Sequence, residues 1–107
     1  MSSTLRPDPD LIQAKVTEIA DPEFWDYRIM TFSEDKRVRI HIYGKYSIGP
    51  IVGLDELAKI ANLLTDRTRY VHIAPRERNE DGYLFLEITA DAEILRPELL
   101  TDRKFGL

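Results

Sequence analysis

The chain has 107 residues, 43% of them hydrophobic and 32% charged, with a formal net charge of −4. That length supports one hydrophobic core rather than two, and the balance of residue types excludes an intrinsically disordered chain. The absence of cysteine excludes disulfides, thiolate nucleophiles and cysteine-rich zinc sites; with no apolar run of signal-peptide or membrane-spanning length, a soluble cytoplasmic protein without membrane association is expected.

Residues 1–7 are polar and are expected to fray. In DPDLIQAKVTEIAD, an Asp8 N-cap, Pro9 at the first helical position and Asp10 in the first turn predict a helix, with Ile12, Val16 and Ile19 at helical spacing. The same letters permit a strand, since Ile12, Ala14 and Val16 alternate. Pro22 ends either element, because it disfavours helical geometry at Asp21.

Aromatic and β-branched residues over 25–32 predict a strand, and SEDK at 33–36 reads as a polar turn. The next stretch, RVRIHIYGK at 37–45, alternates strictly: Val38, Ile40 and Ile42 form one row, and Arg37, Arg39, His41, Tyr43 and Lys45 the other. Two strands so closely linked form an antiparallel hairpin. Gly44, Gly49, Pro50 and Gly53 then mark an irregular connection. It is not a phosphate-binding loop, because Leu54 and Asp55 follow where such a loop needs a lysine and a hydroxyl.

LDELAKIANLLTD predicts an amphipathic helix. Leu54, Leu57, Ala58, Ala61 and Leu64 form its apolar stripe, widened by Ile60 and Leu63, with Asp55, Lys59, Asn62 and Asp66 opposite. TRYVHIAP is a second alternating strand, with Val71 and Ile73 inward and Tyr70, His72 and Ala74 outward, stopped by Pro75. RERNEDG has the charge and the Asp81-Gly82 pair of a hairpin loop. YLFLEITA returns with Leu84, Leu86 and Ile88 inward, leaving Tyr83, Phe85, Glu87 and Thr89 outward. DAEILRPELL begins a further helix at Asp91 that Pro97 interrupts, and residues 101–107 read as a tail.

These elements predict an α+β fold: one domain over 1–107, with an antiparallel sheet of two hairpins in ββαββ order. A central helix packs on one face, and terminal helical segments flank it.

The outward rows gather a chemically distinctive set: Arg37, Arg39, His41, Tyr43, Tyr70, His72, Tyr83, Phe85 and Glu87. A solvated sheet face favours Thr, Lys, Glu and Ser, so this content implies a cover. The cover is a terminal segment, a second copy in a homodimer, or a different molecule. Charge is also uneven. Residues 36–78 hold nine basic groups against four acidic ones, an excess of five, so the remainder carries nine net negative charges to reach −4.

Catalytic signatures are missing. His41, His72 and Glu87 are metal-ligand types, but their spacing matches no metal motif, and no cofactor is expected. Two-histidine phosphoesterases need a hydroxyl residue two positions after each histidine; Tyr43 and Ala74 stand there, and the pattern fails. Ser33 and Ser47 are turn-type serines outside any nucleophile elbow. The sequence therefore predicts a non-enzymatic protein-protein interaction module, an adaptor, inhibitor or immunity-type protein docking through its sheet face. Single-stranded nucleic-acid binding by the same face is the alternative, disfavoured by the acidic remainder. A third class is small-molecule binding between the sheet and the N-terminal helix.

Overall fold

A computed structural model of the chain describes residues 5–23, 27–34, 36–44, 52–77 and 84–102. The element order is β1 (Arg6–Pro7), α1 (Pro9–Ile19), β2 (Tyr27–Glu34), β3 (Arg37–Gly44), α2 (Leu54–Leu64), β4 (His72–Glu77), β5 (Leu84–Asp91) and β6 (Leu100–Thr101). The fold is α+β, and α-β-β occurs twice in succession. Strands β2 to β5 form an antiparallel sheet in the order β2-β3-β5-β4, so the second strand of each hairpin lies at its centre.

Local chemistry decides between helix and strand for the first long element. The Asp8 carboxylate accepts a hydrogen bond from the Leu11 N–H at 3.2 Å, and Pro9 occupies a first-turn position where no donor is needed. Ile12 and Val16 then face the sheet, fully buried. In α2 the buried residues are Ile60, Ala61 and Leu64, with Leu57 and Leu63 half-buried beside them. Leu54, 84% exposed, and Ala58 lie outside this stripe, contrary to expectation. At about 100° per residue, Ile60 and Leu63 draw the centre of the stripe away from Ala58.

Both helices contribute to one core against one face of the sheet. Val38, Ile40 and Ile42 of β3 are fully buried there, joined by Tyr27 and Ile29 of β2 and Ile88 and Ala90 of β5. Each of the three β3 side chains contributes about 1.5–3 kcal/mol through removal from water. Leu95 and Leu99 complete the cluster from the C-terminal segment.

Several boundaries differ from expectation. Strand β2 runs through Ser33 and Glu34, paired with Val38 and Arg37, so the link is shorter than residues 33–36. Strand β4 continues past Pro75 to Glu77 because it is an edge strand, the one place where a ladder tolerates a residue without an N–H. Tyr70 belongs to a 3-10 turn (Thr68–Tyr70) rather than to the strand. Arg6 and Pro7, within the segment expected to fray, pair with Thr101 and Leu100, and the Asp8 N–H donates to the Leu99 carbonyl at 2.9 Å. The expected helix at Asp91 is replaced by two 3-10 turns, Ala92–Ile94 and Pro97–Leu99, on either side of Arg96. Trp25, residues 45–51, Tyr83 and residues 103–107 lie outside the described residues. Among the described residues, no helix is long and apolar enough to cross a membrane.

Two tertiary contacts tie the layers together. Gln13 of α1 donates from Nε2 to the Ile29 carbonyl and accepts at Oε1 from the Thr31 N–H, both at 3.3 Å, which occupies the outer edge of β2. Arg96 closes the C-terminal end of α2. Its backbone N–H reaches the Leu64 carbonyl at 2.9 Å, its Nε the Asn62 carbonyl at 2.9 Å, and its Nη2 lies 2.8 Å from Asp66 Oδ1. α2 has no basic residue in its own last turn, so Arg96 supplies the cation that complements its dipole and its unmatched carbonyls.

Candidate functional site

The sheet face opposite the helices carries four cross-strand rungs. Antiparallel register sets Arg28, Tyr43, Phe85 and Arg76 in one rung, then Met30, His41, Glu87 and Ala74, then Phe32, Arg39, Thr89 and His72, and last Glu34, Arg37 and Asp91. Period-two geometry puts all of them on the side away from Ile40 and Ile88. Of the expected face residues, Arg37, Arg39, His41, Tyr43, His72, Phe85 and Glu87 therefore share one surface. Tyr70 joins them from its turn at the rim of the face, and Tyr83 lies outside the described residues.

Neither α1 nor the 92–101 segment covers this face, since both supply core residues on the opposite side. The row is instead organised by contacts within itself. The Tyr43 and Phe85 rings stack with centroids 4.9 Å apart, and the Arg28 guanidinium lies 5.5 Å from the Tyr43 centroid. His41 sits between Phe32 and Phe85, each 5.0 Å away by ring centroids.

His41 is also the centre of a polar chain. Its Nε2 lies 3.0 Å from Glu87 Oε2 and its Nδ1 lies 3.2 Å from the Tyr43 hydroxyl. Both ring nitrogens thus lie within hydrogen-bond reach of an oxygen, and the tautomer sets which of them donates. The other Glu87 oxygen takes the Arg76 Nη2 at 3.4 Å. Burial alone pushes the Glu87 carboxyl up; the hydrogen bond from His41 and the charges of His41, Arg76 and Arg39 outweigh it and hold the carboxyl below its ordinary value.

Beside this chain the face dips into an open concavity of about 430 Å³. Its floor is made by Thr89 and Ala74, the small members of their rungs. Arg37 and Arg39 stand on the β3 side, with Tyr70, His72 and Arg76 on the β4 side. Arg37 donates from Nε to Asp91 at 3.2 Å, and Arg39 Nη2 lies 3.9 Å from Glu34. Both pairs are solvent-exposed, so each contributes little to stability. Among the described residues, no group of three His, Asp or Glu side chains is placed to hold a metal ion.

Sequence reasoning missed the contribution of β2. Its outward residues Arg28, Met30, Phe32 and Glu34 were hidden because the inward positions Thr31 and Ser33 are polar, which inverts the usual alternation. Arg76 was missed with the β4 extension past Pro75. Comparison with known proteins finds no matching family model, curated protein or solved structure.

Proposed function

We propose that the chain is a non-catalytic protein-docking module of the adaptor, inhibitor or immunity type, working through the open face of its sheet. The observation that carries this reading is the four-rung array of arginine, histidine and aromatic side chains on the face turned away from both helices. Rigid amphipathic rings and forked cations give large contact at small ordering cost, and interfaces enrich them. The sheet edges support the same choice. β2 is occupied by Gln13 and β4 is interrupted by Pro75, so docking by strand addition is disfavoured at both. A second copy of the chain is one partner such a face accepts.

The alternative is single-stranded nucleic-acid binding by the same face, favoured by three guanidiniums around one concavity. Affinity purification with intact wild-type chain and with Tyr43→Ala separates the readings, the recovered material being sorted into protein, nucleic acid and metabolite. Recovery of a protein by wild type and its loss with Tyr43→Ala supports docking; recovery of nucleic acid with a steep salt dependence favours the alternative. A scattering mass of two chains that falls to one with Tyr43→Ala identifies the second copy as the partner.

A further inference from the structure

We infer that the concavity floored by Thr89 and Ala74 is a carboxylate-reading subsite that takes an acidic side chain from an extended segment of the docked protein. The inference rests on the docking reading and specifies the chemistry of its partner.

Three observations carry it. First, guanidinium donors are in surplus. Arg37 engages Asp91 through Nε alone, Arg76 engages Glu87 through Nη2 alone, and Arg39 approaches Glu34 through Nη2 at the long distance of 3.9 Å. Each guanidinium has several N–H donors, so among the described residues most of these donors have no protein acceptor. Second, the existing pairs are easily exchanged. Arg37 and Asp91 side chains are 52% and 62% exposed, and Glu34 is 63% exposed, so an incoming carboxylate replaces weak, hydrated contacts with forked ones. Third, both acids that line the concavity are already engaged, Glu87 by His41 and Arg76 and Asp91 by Arg37.

Carboxylate on a peptide fits better than phosphate on a polynucleotide. Base stacking needs an aromatic face turned to solvent. Here Tyr43 and Phe85 each turn one face to the other and His41 is flanked by Phe32 and Phe85, while Tyr70, exposed at the rim with Arg69 5.3 Å from its ring centroid, is a lone ring rather than a row on which successive bases stack.

The test uses the intact, isotopically labelled chain and four probes: hexaglutamate, hexaglutamine, a six-residue oligothymidylate and inorganic phosphate. Hexaglutamate is expected to shift the Nε–H resonances of Arg37, Arg39 and Arg76 and the amides of Thr89 and His72, while hexaglutamine leaves them in place. Raising salt from about 50 mM to about 500 mM should weaken the effect. An Arg39→Gln, Arg76→Gln double variant that keeps the dispersed amide spectrum of the folded chain should lose affinity by roughly tenfold or more. Unmoved arginine resonances at millimolar hexaglutamate, or equal shifts in the double variant, overturn the subsite. So does inorganic phosphate binding as tightly as the peptide, or the oligothymidylate moving Tyr43 and Phe85 more than hexaglutamate moves the arginines. The two proposals fail separately: a protein captured by the double variant but lost with Tyr43→Ala keeps docking and removes the subsite.

Discussion

His41 and Glu87 face each other across the β3–β5 pair with Nε2 and Oε2 3.0 Å apart, and their side chains are only 15% and 19% exposed. This pair makes Glu87 the acid whose protonation the fold resists. Its folded-state pKa lies below the ordinary value, so its contribution is present above the unfolded-state pKa and is lost as pH falls through the folded one. Melting temperature measured from neutral pH down into the acid range should therefore fall more steeply in wild type than in Glu87→Gln, with the curves converging at the acid end. Parallel curves would show that His41 and Arg76 do not hold the carboxylate.

At the other end of the pH scale, Tyr27 is the sensitive group. Burial, aided by the carboxylates of Asp21 and Glu56, pushes its phenol from 10.0 up to about 12. The sign is opposite to that of Glu87: stability is intact below pH 10 and declines as pH rises from there through about 12. Phenolate absorbance should show an ionisation at about 12 that Tyr27→Phe removes, and the same variant should flatten the alkaline loss of melting temperature.

Gln13 guards the edge of β2 with two hydrogen bonds. Gln13→Ala should cost about 1–3 kcal/mol in denaturant unfolding and leave β2 open to pairing with other chains. Light scattering should then show concentration-dependent association beyond that of wild type. A variant that is destabilised yet stays dispersed would mean the edge is protected in another way.

Thr31 and Ser33 have buried hydroxyl oxygens with no hydrogen-bond partner among the described residues. Replacing the Thr31 hydroxyl by a methyl group removes a desolvated dipole at nearly constant volume. Thr31→Val is expected to stabilise the chain by about 1 kcal/mol, read as a raised unfolding midpoint at unchanged m-value.

Arg96 joins the last turn of α2 to the 92–101 segment through two carbonyls and Asp66. Arg96→Ala removes the two side-chain contacts and should cost about 1–3 kcal/mol. Amide exchange should accelerate at Leu64, Leu95 and Leu99 more than in β3, where Val38, Ile40 and Ile42 are fully buried.

What the residues disclosed in advance follows from how local each signal is. The Asp8-Pro9 pair encodes a helix start within one turn, and the alternation of 37–43 encodes a strand and its two faces, so α1, β3 and most of the candidate face were legible. Strand β4 was cut short because Pro75 is a breaker everywhere except at an edge, and edge position is a property of the whole sheet. The outward row of β2 was concealed by Thr31 and Ser33 on its inner side. Arg96 gave no local signal of its role, since it lies 32 residues beyond the carbonyl it caps on Leu64.

The late position of that segment sets an order of events during synthesis. Leu95 and Leu99 join the core, and Arg96 seals α2, only after every strand of the main sheet has left the ribosome. Until then the core of the nascent chain lacks two of its buried side chains. A chaperone that engages the growing chain would find its target there, and a chain stalled before residue 95 would be the species it holds longest.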